Sequence, residues 1–227
     1  MPGVKTKWAS SALDVQMKIF KGREEWITHR TGIGGSDAAA IMGMNPYISN
    51  HELWEIKTGR RQQEDISEKP YVLYGIQAES YLRELFKLDF PELTVEYAEN
   101  NMFFNNRYPW AHASLDGWLT DSEGRRGILE IKTSEILKSM QKEKWYDQIP
   151  DNYYIQLLHY LMVTDADFAI LKAQLKYDYS GVYLQTRHYR IERAEVVEDI
   201  EILKNAEAEF WVHVQNDTRP DLLLPGI

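Results

Sequence analysis

The chain has 227 residues, of which 44% are hydrophobic, and it carries a formal net charge of −9. This length and apolar content predict one domain, residues 1–227, with a substantial core. The absence of cysteine excludes a disulfide framework and a thiolate metal site, and it is typical of a reducing cytoplasm. We find neither a secretory pattern at the amino terminus nor an apolar run of the roughly 20 residues needed to cross a membrane. We therefore expect a cytoplasmic protein with no membrane partner.

The acidic balance counts against a surface that is basic throughout, as general nucleic-acid binding would favour. Basic residues nevertheless cluster in two places, whereas residues 191–210 are strongly acidic. A basic groove on an acidic body and ordinary solvated helix faces are both open on charge alone. The two clusters are Lys5, Lys7, Lys18, Lys21, Arg23 and Arg30, and then Arg125, Arg126, Lys132, Lys138, Lys142 and Lys144.

The first 90 residues are predicted to be mainly helical. The predicted helices cover residues 12–29, a segment from 36, residues 48–59 ending at Gly59, and residues 71–89, with a polar loop at 60–70. The last of these helices is amphipathic, because its apolar residues recur near the period of 3.6. They are Leu73, Ile76, Tyr81, Leu82, Leu85 and Phe86.

After Pro91 the pattern changes to short apolar runs separated by turn residues, which is typical of strands. Pro150 and Asp151 then mark the start of another helix. An acidic helix ends the chain, and the whole order predicts an α+β or mixed α/β fold. The predicted strands are 93–105, 109–120, 127–134, 168–177 and 183–191, the last two joined by the turn YDYSG. The predicted helix, 149–164, lies between the third and fourth of these strands.

The glycine-rich stretch RTGIGGSDAAAIMG, residues 30–43, at first resembles a nucleotide loop. Its spacing does not fit a dinucleotide fingerprint, because Asp37 occupies the third glycine position, and no P-loop lysine follows. It predicts instead a turn that places Ser36 and Asp37 at a helix amino terminus, where N–H groups can bind an anion. A tight turn with an N-cap and no ligand is the alternative.

Residues 114–132 are predicted to form a β-hairpin turning at DSEG. Alternation places Asp116 on one strand face, and a turn near Glu123 sets it across from Glu130 and near Lys132. Two carboxylates and an ammonium suit a Mg²⁺ site for phosphoryl chemistry, whereas a cross-strand surface ion pair is the alternative. The predicted face of the first strand comprises Trp110, His112, Ser114, Asp116 and Trp118, and that of the second Ile128, Glu130 and Lys132.

Asp116, Glu130, Ile131 and Lys132 resemble the D…(D/E)-x-K motif of restriction-endonuclease-like nucleases, with Leu115 where a proline is usual. Further motifs, in order over residues 20–165, resemble the lambda-exonuclease and YqaJ-type viral recombinase family. They are Trp26 with Arg30 and Gly32, then Ser36-Asp37-Ala38, Gly75 with Glu79, and Gln156 with Tyr160.

The resemblance implies a restriction-endonuclease-like core, a central mixed β-sheet flanked by helices, and a role for each matching residue. Asp116, Glu130 and the Ile131 carbonyl would bind metal. Glu79 would complete the site, either directly or through water. Lys132 would be the catalytic lysine. Gln156 would lie near the attacking water or the scissile phosphate, and Tyr160 one turn later. The residues implied in binding the DNA 5′-phosphate and backbone are Arg30, Ser36, Ser114 and Tyr160.

The activity implied by the resemblance is a Mg²⁺-dependent 5′-to-3′ exonuclease on linear double-stranded DNA, with two ions and Mn²⁺ as a possible substitute. It would release 5′-mononucleotides and leave 3′ overhangs. A ring-shaped homotrimer, a single-strand-annealing partner and a phage or prophage origin in a bacterial host are also implied. The alternatives are a related endonuclease or single-strand exonuclease, a non-catalytic DNA-binding subunit with the same fold and, more distantly, a nucleotide-binding protein.

Overall fold

A computed structural model of the protein describes residues 14–136, 143–177 and 182–223. The strands and helices of these ranges occur in the order that follows. They are β1 (Val15–Ile19), α1 (Arg23–Thr28), α2 (Gly35–Ile41), α3 (Asn50–Lys57), α4 (Pro70–Asp89), β2 (Thr94–Glu96), β3 (Asn101–Asn105), β4 (His112–Ala113), β5 (Gly117–Thr120), β6 (Arg126–Ile136), α5 (Asp151–Thr164), β7 (Phe168–Tyr177), β8 (Tyr183–Glu192), a 3₁₀ helix (Arg193–Glu195) and α6 (Val197–Gln215).

The larger sheet has five strands in the order β2-β5-β6-β7-β8. Strands β6 and β7 are parallel and are connected through α5, whereas the other neighbours are antiparallel. Because side chains alternate along β6, Leu129 and Ile131 pack with the α4 residues Leu82 and Phe86, whereas Ile128 packs on the α5 side. Helices therefore cover both faces, and the predicted mixed sheet with flanking helices is confirmed.

A smaller antiparallel sheet has the order β1-β3-β4. It corrects the predicted helix over 12–29, since Val15–Ile19 is a strand and the helix covers only Arg23–Thr28. The sequence VQMKI alternates apolar and polar residues, and Val15 and Met17 are buried while Gln16 and Lys18 are exposed. The segment forms a strand because this alternation matches the two faces of a sheet and β3 pairs with it, which outweighs helix propensity.

The predicted strand 109–120 is two short strands in different sheets. Strand β4 pairs with β3 in the small sheet, and β5 pairs with β6 in the large one. The predicted alternation of faces therefore breaks between them, and Trp118 lies in the core against Phe103, with ring centroids 5.8 Å apart. Asp116 lies in this break, one residue before β5.

Helix α4 is correctly predicted, but its buried face is narrower than the apolar pattern indicates. Leu82 and Phe86 are buried, whereas Tyr81 is 74% exposed. Leu73, Ile76 and Leu85 are exposed as well.

None of the helices in the described ranges is both long and apolar enough to cross a membrane. Of the sequence predictions, Lys5, Lys7, Lys138, Lys142 and most of the YDYSG turn lie outside the described residues.

Gly32 lies where the glycine-rich stretch meets the segment before β4. A Cβ atom at this position would be 2.3 Å from the Trp110 carbonyl oxygen. That oxygen accepts a hydrogen bond of 2.7 Å from the Ile33 backbone N–H, so it cannot move away freely. Gly32 is therefore required by close packing of two backbone segments.

We expect Gly32→Ala to lower the free energy of unfolding by about 1–3 kcal/mol, because the added methyl overlaps main-chain atoms. Urea denaturation measures this difference. Gly22→Ala is the matched control, since a Cβ at Gly22 meets nothing within 4 Å and its φ of −168° is extended. An equal effect of the two substitutions would refute the packing argument.

Candidate active site

The hairpin register brings Asp116 and Glu130 together. Gly117 pairs with Leu129 in the β5–β6 ladder, so Asp116, one residue earlier, lies across from Glu130. The Ile131 backbone N–H donates a hydrogen bond of 2.8 Å to Asp116 Oδ2. The predicted placement of the two carboxylates is therefore confirmed, although Asp116 itself lies outside the strand.

Glu130 is the buried carboxylate of the site, with only 3% of the residue exposed. Its Oε1 lies 2.6 Å from Lys132 Nζ and accepts a hydrogen bond of 2.9 Å from Gln156 Nε2. Its Oε2 is buried and has no hydrogen-bond partner among the described residues. A buried carboxylate oxygen without a partner is costly, and this atom is available to a cation or another donor.

Burial and mutual repulsion disfavour the ionised carboxylates. Burial, followed by the charge of Asp116, raises the pKa of Glu130 to about 8 and that of Glu79 to about 7. Burial also raises the pKa of Asp116. For Lys132 burial acts in the opposite direction, but Glu130 and Asp116 together raise its pKa above the ordinary value, so the ammonium stays charged. A cation added here would favour the ionised carboxylates.

The donor set fits a hard divalent cation such as Mg²⁺. Asp116, the free oxygen of Glu130 and the Ile131 carbonyl are all oxygen ligands. In the ranges that the structure describes, no group of three or more His, Cys, Asp or Glu side chains is arranged to hold a metal by itself. The Ile131 carbonyl and water would therefore have to complete the coordination.

Gln156 and Tyr160 lie on the face of α5 that meets the carboxylates. Gln156 Nε2 donates to the Tyr160 hydroxyl at 2.7 Å as well as to Glu130. Helix α2 approaches them closely, because a Cβ at Gly35 would lie 2.4 Å from the Tyr160 ring. Gly35 thus permits helix packing beside the site.

The start of α2, where the sequence predicts an anion site, is held in part by protein contacts. Gly34 is the N-cap, and Asp37 accepts its N–H at 2.9 Å and pairs with Lys57 at 2.6 Å. Asp37 therefore closes the helix end and is occupied by protein partners. Ser36 is the second residue of the helix and is exposed.

Arg30 and Ser114 are linked through Trp26. The Arg30 guanidinium lies 4.4 Å above the Trp26 ring, a stacking contact that fixes its position at the surface. Trp26 Nε1 donates to Ser114 Oγ and to the Asn101 carbonyl, each at 3.1 Å. The predicted DNA contacts Arg30 and Ser114 thus belong to one cluster.

A cleft joins part of this cluster to two of the carboxylates. It has a volume of about 360 Å³, and its lining includes Trp26, Ser114, Glu79 and Asp116 but not Arg30, Glu130 or Lys132. Its size is within the range of sites that take small organic ligands. The structure therefore places three of the predicted site residues along one open groove.

Sequence reasoning missed Arg83 and Tyr97, which also line the cleft. Arg83 is 7% exposed and its guanidinium lies 3.4 Å from the Tyr97 ring centroid. The position of Arg83 four residues after Glu79 on a helix is a recognisable pairing signal, whereas the sequence has none for Tyr97.

His112 is buried behind Gly34, and burial lowers its pKa to about 3, so it is neutral.

The mixed sheet, its flanking helices and the carboxylate–lysine group define a restriction-endonuclease-like protein. Residues 25–167 match the family model of the YqaJ-like viral recombinase domain. The matched segment covers more than half of the chain and contains Arg30, Glu79, Asp116, Glu130 and Gln156. The chain belongs to this family.

Similar proteins and structures support the same placement. The chain is 32% identical over 201 residues to the uncharacterized protein YqaJ of Bacillus subtilis (strain 168), an alignment of 83% of this chain and 55% of that protein. The chain thus spans about half the length of this relative.

Two crystal structures share the fold. The alkaline exonuclease LHK-Exo of Laribacter hongkongensis in complex with dAMP aligns with a TM-score of 0.63 and 19% identity, over 86% of this chain and 95% of its own. A phage-related exonuclease of Haemophilus somnus 129PT aligns with a TM-score of 0.52 and 14% identity, over 85% of this chain and 98% of its own.

We expect Glu130→Gln to stabilise the metal-free protein increasingly as the pH rises from 5 to 8. The folded protein keeps Glu130 protonated up to its pKa of about 8, whereas the unfolded chain ionises near the ordinary value of 4.5. The wild type therefore loses stability through this window, and the glutamine variant lacks that loss, a difference of about 3–4 kcal/mol between pH 5 and pH 8.

Urea denaturation in EDTA at several pH values measures this difference. Excess Mg²⁺ should reduce or reverse it at pH 8, because a ligand that binds the folded carboxylates stabilises only the wild type. If the two proteins had parallel pH profiles in EDTA, the burial of an ionisable group at position 130 would be disproved.

Proposed function

We propose that this protein is a Mg²⁺-dependent 5′-to-3′ exonuclease acting on linear double-stranded DNA. The observation that carries the proposal is the buried Glu130, whose Oε2 has no partner among the described residues while Asp116 and Lys132 lie beside it. Membership of the YqaJ-like viral recombinase family and a fold shared with two exonucleases support a nuclease role.

Asp116, Glu130 and the Ile131 carbonyl would hold Mg²⁺, with two ions expected and Mn²⁺ as a substitute. Glu79 would complete the site through water. When bound, the metal supplies Lewis-acid activation of a phosphoryl oxygen and of water. Lys132 would orient the attacking water and offset charge on the scissile phosphate, since its ammonium stays charged and is 22% exposed beside Glu130.

The groove from Trp26 to Asp116 suggests how a strand end would lie. Arg30 would pair with the terminal 5′-phosphate, because a guanidinium binds phosphate oxygens in a bidentate manner. Exposed Ser36 and the half-buried Ser114 would add hydroxyl contacts. Tyr160, the other residue implied in backbone binding, is buried and its hydroxyl accepts a hydrogen bond from Gln156, so it would act by holding Gln156. Cleavage one nucleotide from a 5′ end held there would release 5′-mononucleotides and extend a 3′ overhang.

The assembly proposals rest on the family alone. They are a ring-shaped homotrimer around DNA, a single-strand-annealing partner and phage-type recombination in the cytoplasm of a bacterial host. A ring would be compatible with the net charge of −9, because only its channel lining needs to be basic.

The function is tested on a linear duplex with a 5′-phosphate and a distinct label on each strand end. We expect release of the 5′ label as a mononucleotide in Mg²⁺, no release in EDTA, and a rate at least about 100-fold lower for Lys132→Ala. Lys87→Ala is the control, since Lys87 forms only an exposed pair with Glu84 on α4.

Other outcomes favour the other functions. Internal cuts would indicate an endonuclease, and digestion of single strands alone would indicate a single-strand exonuclease. Folded protein that binds DNA ends but yields no product with any divalent metal would indicate a non-catalytic DNA-binding subunit.

The polarity proposal is tested at Arg30. The wild type should digest 5′-phosphorylated ends faster than 5′-hydroxyl ends, and Arg30→Met should reduce that rate ratio to about one. Arg60→Met is a close control, because the Arg60 guanidinium lies 4.5 Å over the Trp54 ring and so copies the stacking of Arg30 elsewhere. An unchanged ratio in Arg30→Met would exclude Arg30 as the phosphate-binding residue.

A further inference from the structure

Arg83 is a buried cation whose contacts converge on the proposed metal site. Its Nε donates a hydrogen bond of 2.5 Å to the Asp116 carbonyl oxygen. Its Nη2 donates to Glu79 Oε1, one helical turn earlier on α4. The Tyr97 ring covers the guanidinium at 3.4 Å. One side chain therefore joins the helix carboxylate to the main chain of the strand carboxylate.

Burial of this guanidinium lowers the stability of the fold, which suggests that the residue has a functional role. Removing a guanidinium from water carries a large desolvation penalty, and only well-formed hydrogen bonds and charge pairing offset it. Burying an apolar side chain at the same helix position would stabilise α4 against the sheet without this cost. Stability alone is thus a poor reason for an arginine at position 83.

The local backbone explains what the arginine supplies. Asp116 precedes β5, so its carbonyl is outside the β5–β6 ladder. Ile131 N–H holds the Asp116 carboxylate at 2.8 Å, and Arg83 holds the carbonyl of the same residue. The two hydrogen bonds therefore fix the side chain and the main chain of Asp116.

Arg83 also fixes Glu79. Because Oε1 of Glu79 accepts a hydrogen bond from Arg83, Oε2 is the oxygen that remains available toward the cleft. Because the residue is half-buried on α4, loss of the pair would free its side chain to rotate toward solvent.

We propose that Arg83 is a positioning residue that fixes Glu79 and Asp116 for cation binding. This inference rests on the proposed function, because it assumes that the carboxylates bind a divalent metal. Arg83 acts through the two carboxylates and needs no contact with DNA. Substituting it should therefore weaken metal binding and slow the reaction while leaving the affinity for DNA ends unchanged.

Mn²⁺ binding, followed by the free-ion electron paramagnetic resonance signal, tests the proposal without any nuclease assay. We expect Arg83→Met to raise the Mn²⁺ dissociation constant by about 10- to 100-fold, the usual effect of losing a residue that orients metal ligands. Arg83→Lys keeps the charge but cannot form both bonds in the same geometry, so it should also raise the constant, by less.

Arg193→Met is the matched structural control. Arg193 is also partly buried and donates to a main-chain carbonyl, that of Leu161, but it lies beside Asp165 away from the carboxylate site. Arg193→Met should lower the melting temperature without changing Mn²⁺ binding.

In the nuclease assay, Arg83→Lys should lower kcat and leave the KM for DNA ends unchanged.

The outcomes separate this inference from the proposed function. Mn²⁺ binding that depends on Arg83 in a protein without nuclease activity would support the inference and refute the function. A folded Arg83→Lys or Arg83→Met protein with wild-type Mn²⁺ affinity and kcat, and only a lower melting temperature, would overturn the inference and leave the function intact. No Mn²⁺ binding by the wild type would overturn both.

Discussion

The crowding of negative charge between β5 and β6 is the constraint on which the rest of the site depends. Asp116 and Glu130 face each other, and burial makes their repulsion stronger than it would be in water. Lys132 and Arg83 approach from opposite sides and offset part of it. The surrounding elements can be understood as the supports that keep these four side chains in place. Burial of such a group lowers the stability of the fold while holding the side chains in place.

The two helices on either face of β6 have different tasks. Helix α4 brings Glu79 and Arg83 to one end of the sheet and seals the sheet with Leu82 and Phe86. Helix α5 brings Gln156 to Glu130 from the other face. Strand β6 is thus supported from both sides, and a shift of either helix would move only part of the site.

Much of this arrangement was predictable from the sequence, because local patterns specify it. The hairpin turn fixes the register that pairs Asp116 with Glu130, and the alternation along β6 separates Ile131 from Lys132. What could not be predicted depends on distant partners. Strand β1 exists because β3 lies beside it, Gly32 is needed because Trp110 is close, and Tyr97 contacts Arg83 only in the folded chain. The apolar pattern of α4 identified the helix but not the narrow face that the sheet covers.

The hydrogen bonds of Gln156 restrict what its side chain can offer to a reaction. Both protons of its amide nitrogen are used, one by Glu130 and one by the Tyr160 hydroxyl. The group therefore has no spare donor and faces any incoming molecule as an acceptor. It can take a proton-bearing partner such as water, and it is the wrong polarity for a bare phosphate oxygen. Tyr160, by fixing the rotation of that amide, decides which kind of contact the glutamine makes.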